Sequence, residues 1–301
     1  DAIFREFVNE QLLITAQNYM EEVNALFGAA ALCYTNYTNC YVDGGLINLV
    51  QPFIKYIEEK GGEIQYRNPI LSIEKVEEKY LVHNKKETLS SEYFISGLPI
   101  NNTLSLYKSL PAKKFNNKLM SSPQLNSAFQ MGIGFYSDQK FDTIHHQLHL
   151  RTPLPGTKSD SIFVSLNHPE DTNRCDLKGT RVMSVSTHLK DPVNNMIDKK
   201  EAERAVIVEL VKQGFLQEED ILYKHASTQK SWEKWTGRAF GFVGGYPQFK
   251  NIKPWQMIGS KLDNHKAYIC GDTTYPGQGI PGVTLSGIIA SNRLKDDWLK
   301  K

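Results

Sequence analysis

No apolar run in this 301-residue chain approaches the roughly 18 residues that a membrane-spanning helix needs. No basic-then-apolar leader opens it, so the expectation is a cytoplasmic protein, soluble or held at a membrane surface. There is no excess of one charge: 35 basic against 33 acidic residues leave a net +2, with no dense Lys/Arg face, which argues against a nucleic-acid partner. Cysteine is scarce and never spaced C-x-x-C. Cys33, Cys40, Cys175 and Cys270 read as reduced thiols, with a Cys33–Cys40 bridge as the alternative. No metal-ligand spacing is present. No G-x-S-x-G and no Cys/His pair announces a nucleophile, so no catalytic side chain is assigned. What remains is ordinary globular composition, 40% hydrophobic and 23% charged, in a chain long enough to bury a full core without staples.

The most informative stretch lies near the C-terminus. Gly277, Gly279 and Gly282 spell G-x-G-x-x-G after a short apolar run (Ala267 to Cys270) and before a helical stretch, Val283 to Leu294. A dinucleotide-binding βαβ unit needs a second strand and an acidic residue about 20 positions further on. Only 19 residues follow Gly282, reading as one helix and a charged tail. The motif therefore reads as a glycine turn that closes a nucleotide-binding domain whose first half lies elsewhere. With no methionine before Asp1, the expectation is a fragment of a longer protein.

Glycines at 277, 279 and 282 let backbone pass close to a flat ligand. Pro281 is expected at the first helical position, where its missing N–H costs nothing. A helix from Gly282 would aim free N–H groups and its positive end at the turn, an arrangement that suits an anion. A reduced flavin carries negative charge around its pyrimidine ring, and the helix end would favour it by about 0.3–2 kcal/mol. Asp272, after a strand, is placed to accept hydrogen bonds from ribityl hydroxyls.

Elsewhere the pattern alternates between helix and strand. Residues 1–30 read as helical. Leu46, Leu49, Val50, Phe53, Ile54 and Ile57 follow the clearest helical period in the chain, with a kink expected at Pro52 and a stop at Gly61-Gly62. Short strands are expected at Glu63–Tyr66, Ile70–Val76, Lys79–His83 and Tyr93–Leu98. Helical stretches follow over Asn101–Met120, broken near Pro111. Further strands fall at Ala128–Tyr136, Gln147–Arg151, Ser161–Leu166, Val182–Thr187 and Ile221–His225, with a helix from Lys200 to Phe215. His145, Gln147 and His149 alternate onto one strand face, and Trp232 and Trp235 read as core. The predicted fold class is α/β (mixed α+β): a partial FAD/NAD(P)-binding Rossmann-like domain lacking its N-terminal βαβ unit, with an inserted substrate domain of antiparallel sheet plus helices. The expected division is 1–40, the helical part of the substrate domain; 41–100, an FAD-domain segment; 101–235, the substrate-binding domain; and 236–301, the closing FAD-domain segment.

The run Gly271-Asp272, Pro276-Gly277-Gln278-Gly279-Ile280-Pro281-Gly282-Val283 and Ser286-Gly287 resembles the C-terminal FAD motif of the phytoene desaturase, carotenoid isomerase and retinol saturase-like flavoproteins. Leu26 to Ala31 followed by Tyr41, Gly44-Gly45 and Leu49, then Gly61-Gly62, Ile70 with Ile73, Phe94 to Pro99, and Trp235 to Gly245 are similar to that family's later blocks, in the same order. The resemblance covers nearly the whole chain. It implies flavin-ring and ribityl contacts at Gly271, Asp272, Gly279, Pro281, Gly282 and Val283, and a backbone contact from Ile70 to the adenine. It also implies a hydrophobic polyene substrate and peripheral membrane contact through residues 101–120. The family's opening βαβ unit, which grips the pyrophosphate and ribose, has no counterpart in this sequence, so FAD binding by these residues alone is expected to be weak or absent. Two rivals stand beside a desaturase or isomerase. One is a flavin amine oxidase, for which Tyr246 and Trp255 are the candidate ring-framing aromatics. The other is a non-catalytic isoprenoid- or lipid-binding protein on the same fold.

Overall fold

The computed structural model describes residues 1–36, 40–110, 114–157, 159–171, 174 and 177–300. In chain order the helices are α1 (Ala2–Ala16), α2 (Ala25–Cys33), α3 (Ile47–Glu59), α4 (Ile100–Leu106), α5 (Lys199–Lys212), α6 (Gln229–Thr236) and α7 (Gly279–Leu299). The strands are β1 (Ile70–Val76), β2 (Lys79–Asn84), β3 (Thr88–Ser91), β4 (Phe94–Ser96), β5 (Asn126–Tyr136), β6 (His145–His149), β7 (Ser161–Leu166), β8 (Thr180–Lys190), β9 (Ile221–Ser227) and β10 (Ala267–Ile269). They fall into two compact units, each discontinuous in sequence: residues 1–13, 32–64 and 125–242, and residues 14–31, 65–124 and 243–301.

The first unit is built on a five-stranded antiparallel sheet in the order β6-β7-β8-β5-β9. β5 and β8 pair along their full lengths, from Asn126 opposite Lys190 to Tyr136 opposite Thr180. Strand side chains alternate between faces, so Phe129, Met131, Ile133 and Phe135 share one side with Met183 and Val185. That side is the core, filled by Ala202, Val206, Ile207 and Leu210 of α5. Asp198 starts α5 by accepting from the Lys200 and Glu201 amides at 2.9 and 3.0 Å, satisfying two donors that a helix start leaves open. The sheet's second face is small and polar: Gln130 and Gly132 on β5 stand opposite Ser186 and Ser184 on β8, with Ala128 opposite His188.

Burial on that second face pushes the His188 imidazole down to about 4 from its ordinary 6.5. The folded ring stays neutral while the unfolded chain takes up a proton, so stability is full above pH 6.5 and falls as pH drops toward 4. Because the residue as a whole keeps part of its surface open to solvent, less than the full shift is expected to reach stability, about 2 kcal/mol. Replacing His188→Gln should flatten the pH dependence of the denaturant midpoint by that amount. Identical curves for the two proteins between pH 6.5 and 4 would remove the assignment.

α3 ends in a paired-bond stop, with Gly61 N–H on the Glu58 carbonyl and Gly62 N–H on the Ile57 carbonyl, each at 2.9 Å. Pro52 lies inside this helix without ending it. Its apolar side is not buried within the described residues; Phe53 is 66% exposed.

The second unit holds an antiparallel meander β1-β2-β3, a two-stranded parallel sheet β4-β10, and α4 and α7. Its core is a ring cluster packed edge to face: Tyr80 and Phe94 have centroids 4.8 Å apart, Phe94 and Tyr107 5.5 Å.

Several expectations change. Glu63–Tyr66 forms no strand, while Thr88–Ser91, read as connecting chain, pairs with β2 as an edge strand. The predicted strand at Gln147–Arg151 lies earlier, at His145–His149. Cys33 and Cys40 are free thiols, not a bridge; Cys175 and Pro111 lie outside the described residues. Among the described residues no helix is long and apolar enough to cross a membrane, and no group of three or more His, Cys, Asp or Glu is placed to hold a metal ion.

Candidate functional site

The turn from Cys270 to Val283 grows out of β10, which is fully buried and runs parallel to β4 in the register Ala267–Phe94, Tyr268–Ile95, Ile269–Ser96. The pairing continues one bond further, Cys270 N–H to the Ser96 carbonyl at 2.9 Å. Both strands then end in glycine, Gly97 and Gly271. A side chain built at Gly97 would meet nothing within 4 Å. At Gly271 the nearest atom would be the Gly97 carbonyl oxygen at 3.4 Å. The carboxyl end of the strand pair is therefore bare backbone, the end at which parallel α/β sheets hold ligands.

Ser286, inside α7 and 2% exposed, pins this bare end. Its hydroxyl accepts from the Gly271 amide at 3.0 Å and shares a hydrogen bond with Thr274, whose hydroxyl donates to the Gly271 carbonyl at 2.8 Å. The Thr273 hydroxyl accepts from the Ile100 amide at the start of α4. Asp272 is half-buried, and its backbone carbonyl accepts from the Tyr246 amide at 3.0 Å.

α7 begins at Gly279, not at Gly282, so Pro281 occupies the third helical position rather than the first. It is still within the opening turn, where no intrahelical acceptor awaits its missing N–H. The cap residue Gln278 does not close the helix with its side chain. Its amide oxygen instead accepts from Gly245 N–H at 2.8 Å, and its amide nitrogen donates to the Thr15 carbonyl. The N–H groups of Gly279 and Ile280 therefore find no acceptor among the described residues, on exposed backbone at the positive end of a 21-residue helix.

The three motif glycines do different work. Gly279 has φ +84°, the left-handed region, and a side chain there would point into open space apart from Pro281 Cδ at 3.9 Å. At Gly282 a Cβ would come within 2.5 Å of the Gly277 carbonyl oxygen, and at Gly277 within 2.7 Å of Gln248 Nε2. Close approach to a ligand was expected of all three; Gly279 alone faces open space, and at the other two the turn packs on its own chain. Val283 follows, partly exposed on the first turns of α7.

A flat ligand with an electron-rich edge fits what is left open: two glycine strand ends and two unpaired amides on a dipole end. Gly271 follows β10 and Gly279 and Ile280 open α7; Pro281 and Val283, on the first turn of that helix, are exposed. Ile70 opens β1, opposite Asn84 in the meander, and makes no hydrogen bond to the turn. Sequence reading missed Gln278 and Ser286 as the side chains that fix the turn. Of the other candidates, His149 is engaged by Glu10 at 2.6 Å. Trp235, expected in the core, is 79% exposed.

A parallel strand pair feeding a glycine turn and an open helix start places the chain among nucleotide-binding α/β proteins. It belongs to the family of flavin-containing amine oxidoreductases, whose sequence model it matches over residues 6–295. The mixed α/β architecture is that of this family's FAD-binding fold. An oxidoreductase from Methanosarcina mazei superposes with a TM-score of 0.69 at 14% identity, covering 97% of this chain and 65% of that one. Cyclohexylamine oxidase from Brevibacterium oxydans IH-35A gives 0.60 at 12%, covering 97% and 64%. A CLA-producing fatty acid isomerase from P. acnes gives 0.57 at 10%, covering 95% and 62%. The chain thus spans less than two thirds of the length of each. No curated protein matches it by sequence.

Proposed function

We propose that these residues form the ring-binding and substrate-binding part of an FAD-dependent oxidoreductase acting on a carotenoid or similar isoprenoid polyene, by desaturation or by redox-neutral isomerisation. The observation that carries the flavin reading is the uncapped start of α7 beside the bare glycine ends of β4 and β10. Bound there, a flavin supplies a two-electron hydride acceptor. The chain's own part is to orient and to stabilise: the Gly279 and Ile280 amides favour negative charge at the pyrimidine edge, and Asp272 stands at the strand end for the ribityl hydroxyls. No side chain is asked to act as acid or base on the polyene.

The polyene reading is supported by the residues of the closing motif and by the lane of small side chains on the sheet of the first unit. Gly132 and Gly134 on β5 lie in register with Ser184 and Val182 on β8 and with His225 and Tyr223 on β9, a shallow lane walled on one side by rings. Amine oxidation by a ring-framing aromatic pair finds less support: Tyr246 is buried while Trp255 is 75% exposed, and the two make no ring contact.

These 301 residues contain no strand–G-x-G-x-x-G–helix–strand unit with its downstream acid. Each absent charge-assisted bond to the pyrophosphate or ribose withholds about 1.5–3 kcal/mol, so FAD uptake by this chain alone should be weak. Fluorescence titration checks it; tight, stoichiometric uptake would refute it. The substrate reading is checked by incubating the protein with excess FAD and either carotenes or primary amines. Carotene products with no amine consumed support the proposal, and peroxide release with amine alone overturns it.

A further inference from the structure

The second unit contains a cleft of about 630 Å³ that the flavin reading does not use. It lies along α7 at Ile289 to Asp296, ten to seventeen residues beyond the glycine turn, which places it roughly 15–25 Å down the helix axis. The geometry points to a binding site for a phosphate-bearing ligand with an apolar portion. Four cations line the cleft, Lys114, Lys118, Lys261 and Arg293, against one carboxylate, Asp296. The floor between them is apolar and buried: Phe115 is 4% exposed and Met257 7%.

The charges are arranged for a guest rather than for each other. Lys261 is neutralised by Asp297 at 2.7 Å. Lys114 is held by two carbonyl oxygens, those of Lys261 and Leu262, at 3.5 and 3.4 Å. Lys118 donates to the Gln256 carbonyl. The contacts of Lys114 and Lys118 orient their ammonium groups without cancelling their charge, whereas the charge of Lys261 is already balanced by Asp297. Among the described residues no ion pair joins a carboxylate to Lys114 or Lys118, while Arg293 lies close enough to Asp297 to help, with Lys261, hold that carboxyl below its usual range. Lysines held by neutral acceptors around an apolar floor have lost rotamer freedom in advance, which lowers the cost of taking up an anion. The volume lies in the range of small-molecule sites, and phosphate is the anion for which clustered ammonium and guanidinium groups are best suited.

The inference does not depend on the flavin reading, since no residue of the turn takes part. Its test is titration of the full chain with inorganic pyrophosphate, paired with sedimentation on phosphatidylcholine vesicles with and without phosphatidic acid. Pyrophosphate binding without vesicle binding identifies a soluble phosphate ester. Sedimentation that requires phosphatidic acid identifies a lipid headgroup. Either outcome should weaken about tenfold in Lys118→Gln and again in Arg293→Gln, and both should weaken steeply with salt. Asp296→Asn should tighten binding several-fold, a gain that misfolding cannot imitate. No binding in either arm, or binding unchanged in all three variants, overturns the proposal.

Discussion

Replacing Asp263→Ala is expected to cost the second unit about 3–5 kcal/mol. Asp263 is 7% exposed and accepts four hydrogen bonds. One oxygen takes the Tyr80 and Tyr107 hydroxyls at 2.8 and 3.0 Å, and the other takes the His265 and Ala267 amides at 2.8 and 3.2 Å. Burial first, and the carboxylate second, push both tyrosine hydroxyls far above their usual range, so both remain donors throughout the working pH range. Alanine would strand three buried donors, and the part-buried His265 amide, with nothing to receive them. The loss is a large share of what a domain ordinarily has to spare, about 5–15 kcal/mol. It also falls on the first residue of β10, and so on the register that leads into Gly271. Asp263→Asn keeps two acceptor lone pairs and should cost about half as much. Tyr80→Phe should be milder than alanine at 263, although it also frees the Lys266 amide that bonds the hydroxyl. Urea unfolding, followed by the fluorescence of the ring cluster, measures all three. An alanine variant that unfolds at the parent's midpoint would show that Asp263 is not the keystone of this unit.

Nothing around Asp263 in the sequence foretold that role, because its partners lie 183 and 156 residues away. The same holds for Gln278, whose side chain reaches partners 33 and 263 residues distant. Local pattern reports what a segment needs, not who supplies it. Alternation over 128–136 foretold β5 because one face of that strand is core and the other is small and polar. The 3.6-residue period of Leu46 to Ile57 foretold α3, but not that its apolar side would go uncovered by the described residues. Thr88–Ser91 escaped notice because it has one apolar residue and four exposed positions; it is a strand by backbone pairing alone. Glu63–Tyr66 was misread for the converse reason, a strand-like composition with no neighbouring strand to pair with. The glycine turn was legible as the link between a short buried strand and the last helix, and the family match agrees with a flavin-binding fold. The placement of Pro281 failed because the first two helical residues, Gly279 and Ile280, precede it without a side-chain cap to mark the start.

Gly282→Ala should be the most damaging single substitution in the turn, and Gly279→Ala the most informative. At 282 the new methyl would meet the Gly277 carbonyl oxygen at 2.5 Å and its carbon at 3.0 Å, both backbone atoms that cannot swing away. The turn must open or the first coil of α7 must unwind, a cost of about 2–4 kcal/mol for overpacking at so fixed a contact. At 279 the methyl meets open space, and the penalty is the left-handed backbone alone, about 1–2 kcal/mol. The two variants therefore separate scaffold from shelf. Gly282→Ala should lower the melting temperature by several degrees and weaken flavin uptake only because the cradle has come apart. Gly279→Ala should lose only about half as much in melting temperature as Gly282→Ala, yet lose most of whatever flavin affinity the parent shows, since its methyl projects into the space where the ring edge would lie. Measured side by side, melting curves and flavin titrations give one decisive pattern. If Gly279→Ala binds flavin as the parent does, the open side of α7 is not where the ring sits. If Gly282→Ala melts with the parent, the turn does not fold back onto its own helix, and the Gly277 carbonyl is not what bars a side chain at 282.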